Sequence, residues 1–236
     1  MKKYELTEET KVIGGKTLFR IRALRSFGGI KAGDLGGFIE NERNLSHGGN
    51  AWVGGNAEVY GNAQVVGYAQ VGGNAQVNGY AQVGGNAWVE DNAQVGGNAR
   101  VSGDAWVEDN ARVDGDAWVG GYARVNGDAQ VEDNAQVGGN ARVGGYAWVG
   151  GNARVGGDGL INSNNDYLCE QGLGSRNRSA SFFKCKDGHI HVLCGCFSGN
   201  LDEFENKVKE EHGNSKYSKE YLGFIEVVKT HFEVRQ

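Results

Sequence analysis

The chain has 236 residues, enough for one or two domains, and contains 41 glycines but no proline. So much glycine without proline excludes collagen and proline-rich linkers. The net charge of −5 is spread over residues of both signs, so the composition does not indicate a surface that binds polyanions. There is no run of about 20 apolar residues, so the sequence predicts no membrane span. Its start lacks the apolar core of a signal peptide, so we expect a cytoplasmic protein with reduced cysteines.

Residues 1–50 are predicted to form an N-terminal β cap. The segment from Lys11 to Leu24 favours a hairpin that turns at Gly14-Gly15, because glycine accepts the positive φ angles of a tight turn. The apolar side chains of residues 32–39 lead into the next region. We expect them to cover its open end, as the terminal units of repeat proteins do.

Residues 51–161 carry a six-residue repeat without an insertion. Valine occurs at position 53 and at every sixth position through Val155, eighteen times, with alanine two residues before each. Residues two apart in a strand face the same side, so alanine and valine point inward together. Gly, Asn or Asp then turns the chain, which makes each hexad one short strand and one corner. Three corners close a triangle, so we expect about six 18-residue coils.

The unit resembles the hexapeptide-repeat signature, in which an aliphatic residue is followed four positions later by a small one, as Val71 is by Ala75. That resemblance implies left-handed coiling. The predicted fold is therefore mainly β: a left-handed parallel β-helix with an N-terminal β cap and a small C-terminal α+β domain. Alanine and valine fill so narrow a prism that we expect no ligand cavity inside it.

The outward position between alanine and valine carries all five tryptophans. Positions 18 residues apart stack, and one resulting face is rich in tryptophan and arginine, which are common at protein contacts. This face predicts a surface for a partner or for self-association. The alternative is that Trp and Arg side chains stack to shield the strand backbone. We call it the Trp/Arg face; it comprises Trp52, Gln70, Trp88, Trp106, Arg124 and Arg142, and its candidate binding residues are Trp52, Trp88, Trp106, Arg124 and Arg142.

Aspartate replaces the corner glycine at Asp91, Asp109 and Asp133, each time after a glutamate. Stacked carboxylates suggest calcium, but these corners are too short to wrap an ion. Solvated corners are the favoured interpretation.

Many proteins that resemble this repeat are acyltransferases, and a zinc carbonic anhydrase class shares the fold. The resemblance implies a histidine base near an interrupting loop, or three converging histidines. Val53 to Val155 contains neither a histidine nor a loop. We expect His47, just before the repeat, to cap the first coil. The sequence therefore assigns no catalytic residue and no cofactor, and it favours a protein that is not an enzyme.

Residues 162–236 are predicted to form the α+β domain, after a polar turn at residues 162–166. A hairpin joins 179–185 to 189–194 across Asp187-Gly188, a favoured turn pair. Two helices follow, from Asn200 to about His212 and from about Ser218 to Phe232.

Cysteines and histidines of this hairpin suggest zinc. With a two-residue turn, however, strand alternation places His189 and His191 on one face of the hairpin and Cys185 and Cys194 on the other. Four ligands drawn from these residues and Cys196 could therefore not converge on one ion. The sequence therefore assigns no metal site.

Four further features of the sequence are the segments GDLGGFI (residues 33–39) and NLS (44–46), the N-A-x-V repeats, and GCFSG (195–199) followed by LDEF (201–204). In these residues, nearly the whole chain resembles a group of phage and prophage proteins. The resemblance implies a phage or prophage origin and hence the host bacterial cytoplasm.

The leading hypothesis is a non-enzymatic rigid scaffold that binds a host or phage macromolecule. Inhibition of that macromolecule is one form of this hypothesis. A protein partner is favoured, and a homo-oligomer is left open. Nucleic acid is disfavoured, because acidic residues 202–211 offset Arg176, Arg178, Lys184 and Lys186. The alternatives are an acyltransferase with an inter-subunit site and a structural oligomer or virion component.

Overall fold

The computed structural model describes residues 2–234. At the N-terminus, β1 (Tyr4–Ile13) and β2 (Lys16–Ala23) form the expected antiparallel hairpin, which starts seven residues earlier than the segment predicted for it. Strand β3 (Leu35–Ile39) pairs antiparallel with β2 and parallel with the first coil of the repeat. A short 3-10 helix, Glu42–Asn44, follows it.

The repeat forms two-residue strands, one per hexad, whose outward residue precedes the inward valine. In chain order, β4 to β22 are Trp52–Val53, Glu58–Val59, Gln64–Val65, Gln70–Val71, Gln76–Val77, Gln82–Val83, Trp88–Val89, Gln94–Val95, Arg100–Val101, Trp106–Val107, Arg112–Val113, Trp118–Val119, Arg124–Val125, Gln130–Val131, Gln136–Val137, Arg142–Val143, Trp148–Val149, Arg154–Val155 and Leu160–Ile161.

These strands build a parallel β-solenoid with three flat sheets. Each strand pairs in parallel with the strands 18 residues before and after it, so Trp88 lies opposite Trp106 and Gln94 opposite Arg112. The sheets have the strand orders β3-β5-β8-β11-β14-β17-β20, β4-β7-β10-β13-β16-β19-β22 and β6-β9-β12-β15-β18-β21, the first extended by the β1-β2 hairpin. The period therefore predicted which residues share a face.

The solenoid has about seven turns rather than the six expected from the valine count. The additional strands come from outside the regular hexads, because Phe38 pairs with Glu58 and Leu45 with Val65 at spacings of 20 residues. At the other end, Leu160 pairs with Arg142. Gly36 and Gly37 allow β3 to approach so closely, since a Cβ on Gly37 would lie 2.5 Å from the Ala57 carbonyl oxygen.

The interior is a continuous column of alanine and valine. The alanines and valines at the repeat's inward positions are all buried, and together with Ile39 and Ile161 they form one apolar cluster. The cluster continues into Tyr4 at one end and Phe183 at the other. Burying this surface is the main stabilising contribution, because apolar burial provides roughly 25 cal/mol per Å².

The corners turn through the left-handed region. Corner glycines such as Gly121 have positive φ, and so do Asp91, Asp109 and Asp133, at 58°, 61° and 57°. Their carboxylates accept hydrogen bonds from the coil above: Gly127 donates to Asp109 and Gly151 to Asp133, both at 2.9 Å. The aspartates thus satisfy backbone amides, which gives these carboxylates a structural role.

The C-terminal part is a four-stranded antiparallel sheet with two helices. Its elements after the 3-10 helix Asn164–Asp166 are β23 (Tyr167–Leu173), β24 (Arg178–Lys184), β25 (Ile190–Cys194), β26 (Phe197–Asn200), α1 (Leu201–His212) and α2 (Lys216–His231). The predicted hairpin and both helices are present within two residues, whereas β23 and β26 were not predicted. Within residues 2–234, no helix is long and apolar enough to cross a membrane.

This sheet lies between the solenoid and the helices. Phe183 and Cys185 join the apolar cluster of the solenoid, whereas Phe182 and Val192 join a second cluster with Phe204 and other helix residues. Alternate residues of β24 therefore serve two cores. The sheet caps the last coil, where the Arg154 amide donates to the Ser181 hydroxyl at 2.8 Å.

The N-terminal end of the solenoid contains a buried lysine. Lys3 is fully buried, and its ammonium donates to the Ala51 carbonyl at 2.7 Å and lies 5.1 Å from the Phe27 ring centroid. Burial and, to a smaller extent, the nearby charge of Arg25 together lower the pKa of Lys3 from 10.5 to about 8. Folding therefore favours the neutral amine.

This shift predicts a pH-dependent contribution to stability. Between about pH 8 and pH 10.5 the unfolded chain holds the Lys3 proton and the folded chain has lost it, so this contribution rises with pH. The wild type should therefore gain stability relative to Lys3→Met as the pH rises. We expect the difference between their free energies of unfolding to increase by about 1–3 kcal/mol across this range. Urea unfolding at several pH values measures it; a flat difference would contradict the assignment.

Candidate functional site

The Trp/Arg face forms a stacked ladder at its centre. The rings of Trp88 and Trp106 are parallel, with centroids 5.3 Å apart and planes 8° apart. The Arg124 guanidinium lies 5.4 Å from the Trp106 ring centroid, and Arg142 pairs with Arg124 one coil further on. The 18-residue stacking places these four side chains in one row. The ladder matches the shielding interpretation, and it also keeps the row rigid.

Trp52 does not belong to the exposed part of this face, so its predicted exposure is wrong. Only 4% of its surface is accessible, because Phe27 from the preceding loop packs edge-on against it at 5.5 Å. Gly36 leaves room for the indole, since a Cβ there would lie 2.6 Å from it. No sequence pattern indicates that a loop before the repeat folds over this position.

The arginines of the face carry free positive charge. Neither Arg124 nor Arg142 forms an ion pair with any residue from 2 to 234, and both are exposed. Trp88 is 36% exposed and Trp106 is half-buried in the ladder. The face therefore offers a flat aromatic centre beside two uncompensated cations, an arrangement that suits carboxylates on a partner.

Two other tryptophans lie on the other faces and are at least as accessible as Trp88. Trp118 is 39% exposed, and its indole nitrogen donates to the Ser102 hydroxyl at 3.2 Å. Trp148 is 52% exposed on the remaining face. Neither stacks on another aromatic ring or an arginine within the described chain. Among residues 2–234, the Trp/Arg face alone combines two tryptophans and a guanidinium in contact.

His47 lies at the first coil, as expected for a cap. Its Nδ1 accepts from the Lys3 amide at 3.2 Å, and its ring stacks on Tyr4 with centroids 4.4 Å apart. Its Nε2 lies 3.5 Å from a carboxylate oxygen of Glu42. These contacts fix the imidazole between the hairpin and the solenoid.

The basic residues of the C-terminal part separate into two places. Lys184 pairs with Asp166 at 3.0 Å, and Lys186 pairs with Asp158 at 3.5 Å. Arg176 and Arg178 instead line a cavity of about 540 Å³ beside α1, which also includes Cys194, Phe204 and Tyr221. The four basic side chains therefore do not form one patch.

The predicted separation of the hairpin's cysteine and histidines is wrong. Candidate ligand atoms of Cys185, His189 and His191 all lie within 4.8 Å of one another. The loop has three residues rather than two, because the Cys185 amide donates to the His189 carbonyl at 2.9 Å and Phe183 pairs with His191. A shift of one residue moves side chains to the other face of a strand, so it brings Cys185 and both histidines together.

Hydrogen bonds already orient both imidazoles. His189 Nδ1 lies 2.5 Å from Asp187 Oδ1, and His191 Nε2 lies 2.9 Å from the Ser198 hydroxyl. Burial lowers the pKa of His191, and the charge of His189 lowers it further. Burial raises the pKa of the Cys185 thiol to about 11, helped by the charges of Asp187 and Asp158. Without an ion, then, this cysteine is a thiol and His191 favours its neutral form.

Comparison with known proteins supports the repeat and says little about function. A family model described as the YdcK beta solenoid repeat matches residues 93–108 and 135–151. Both stretches lie within the solenoid, so this chain carries a β-solenoid repeat similar to the one that the family describes. A search of curated proteins finds no match.

Proposed function

We propose that this chain is a non-enzymatic binding scaffold of phage or prophage type, and that its Trp/Arg face binds an acidic surface on a host or phage protein in the bacterial cytoplasm. The observation that carries the proposal is the row formed by Trp88, Trp106, Arg124 and Arg142. Its stacked rings and unpaired guanidinium groups lie on a rigid, flat sheet.

Such a row loses little conformational entropy on binding. Side chains held by stacking have already lost their rotamer freedom, and strands anchored on both sides cannot move far. Tryptophan and arginine are also the residue types that most often dominate binding energy at protein interfaces. Unpaired arginines add electrostatic complementarity to a carboxylate-rich partner.

The phage or prophage assignment is supported by the resemblance of residues 33–39, 44–46 and 195–204 to proteins of that kind. Blocking the bound macromolecule's normal contacts is the simplest effect of a rigid binder that has no catalytic group, so we include inhibition in the proposal. The solenoid would then serve as the support that presents the face.

Affinity capture from bacterial lysate with matched variants tests the proposal. We expect Trp88→Ala combined with Trp106→Ala to weaken capture of a specific acidic protein at least tenfold, since two contact tryptophans are removed. Trp118→Ala removes a tryptophan of similar exposure from another face and should leave capture unchanged.

Equal capture by both variants would contradict the proposal. Capture by the wild type that high salt does not weaken would also contradict it, because salt screens contacts between arginines and carboxylates. Sedimentation across the micromolar range provides a second check. A dimer that only the Trp88→Ala, Trp106→Ala variant loses would identify a second copy of this chain as the occupant, and would overturn the proposed acidic protein.

A further inference from the structure

We propose that Cys185, His189 and His191 form a three-ligand site for a zinc-type divalent metal ion, at the junction of the last coil and the C-terminal sheet. One sulfur and two imidazole nitrogens are the donors that zinc favours, and the three lie within 4.8 Å of one another. The proposal is independent of the Trp/Arg face.

The backbone holds the three ligands together. Cys185 and His189 close the hairpin loop through two hydrogen bonds of 2.9 Å, from the Cys185 amide to His189 and from the Gly188 amide to Cys185. His191 is two residues further along β25 and therefore on the same face as His189. Ligand atoms in a tetrahedral site with metal–ligand bonds of about 2.0–2.3 Å lie roughly 3.5 Å apart. Small side-chain rotations bring the three ligand atoms, now within 4.8 Å of one another, to that separation.

Outer contacts leave one nitrogen of each imidazole free for the ion. Asp187 holds Nδ1 of His189, so Nε2 is available, and Ser198 holds Nε2 of His191, so Nδ1 is available. A carboxylate that orients a ligating histidine is the common arrangement around protein zinc, because it fixes the tautomer and makes the nitrogen more basic. A hairpin stabilised by packing alone does not require such contacts.

The fourth position faces solvent. His189 and His191 line a groove of about 660 Å³ that Asn200, Asp202 and Glu203 border at the start of α1. Water completes the coordination there, as in zinc sites that keep three protein ligands. On binding, the Cys185 thiol loses its proton to solvent and bonds through sulfur, so binding releases a proton and weakens as the pH falls.

The site would connect the solenoid to the cap. Cys185 belongs to the apolar cluster of the last coil, and its backbone bridges to Gly159. The ion would therefore tie the hairpin loop to the end of the solenoid. This role predicts that zinc slows hydrogen exchange in residues 183–191 without changing the first coils.

Titration of the untagged, reduced full chain with Co²⁺ tests the proposal. We expect one ion per chain, with the thiolate-to-cobalt absorption band of a bound cysteine, and full displacement by Zn²⁺. Cys185→Ser should abolish the band. His189→Ala, at an exposed position, should weaken binding more than tenfold, and Asp187→Asn should weaken it about tenfold.

Cys196→Ser and His212→Ala are the matched controls, because they remove the same donor types outside the cluster. Both should bind like the wild type. The proposal is overturned if the wild type gives no thiolate band, if the band survives Cys185→Ser, or if either control removes it. Circular dichroism of each variant verifies that it is folded before its titration counts.

Discussion

The variant Val95→Asp is expected to abolish the cooperative thermal unfolding transition of the solenoid. Val95 is fully buried between Val77 and Val113, in a column without polar partners. An aspartate there would either ionise without a counter-charge or hold an unpaired proton, and each costs several kcal/mol. That cost is comparable with the whole stability of a typical domain, about 5–15 kcal/mol.

The adjacent variant Gln94→Asp is the control for this experiment. Gln94 precedes Val95 in the same strand but points outward, where it lies opposite Arg112. An exposed aspartate beside that arginine should leave the midpoint of thermal unfolding within a few degrees of the wild type. Circular dichroism during heating measures both variants; similar midpoints would mean that the inward and outward positions are misassigned.

The variant Phe183→Ala is expected to lower the free energy of unfolding by about 3–5 kcal/mol and to expose the end of the solenoid. The ring is fully buried against the last coil, and Gly159 leaves space for it at a position where the repeat has alanine. Its loss creates a cavity between the sheet and the core. Urea unfolding measures the loss of stability.

Phe182→Ala separates this effect from a general loss of packing. Phe182 is also fully buried, but on the other face of β24, with Phe204 and Phe224. Hydrogen exchange should therefore rise in the last coil, near Arg142–Val155, for Phe183→Ala, and in the two helices for Phe182→Ala. The same exchange pattern in both variants would contradict the two-core arrangement.

The regular part of the fold could be predicted because one period determines it. A six-residue repeat with small apolar residues two apart fixes the strands, the corners and the residues that share a face. The stacking of Trp88, Trp106 and Arg124 follows from that period alone. Corner geometry also followed, since Gly and Asp are the residues that accept positive φ.

The contacts that attach the two ends to the solenoid could not be predicted, because they join residues that are distant in sequence. The first coil takes Phe38 and Leu45 at a spacing that differs from the repeat, and Phe27 covers Trp52 from a loop with no period. Strand β23 contains Glu170, Gln171 and Gly172, which give it no alternating pattern.

The hairpin error had the greatest consequence for the candidate sites. Asp187-Gly188 is a favoured two-residue turn, yet Lys186 also lies in the loop, and a difference of one residue reverses every side chain. A two-residue turn therefore separates Cys185 from the two histidines, whereas the three-residue loop of the structure brings them together. Residue preferences alone do not determine the length of this turn, because Gly188 is compatible with both a two-residue and a three-residue hairpin loop.

Recognition on one face of the solenoid can be tested by site-specific photo-crosslinking. A crosslinking residue at Gln70, next to Trp88 on the Trp/Arg face, is compared with one at Gln94 on another face. We predict that a single acidic protein crosslinks in bacterial cells from position 70 and not from position 94. Equal crosslinking from both positions, or crosslinking from position 94 alone, would contradict recognition by the Trp/Arg face.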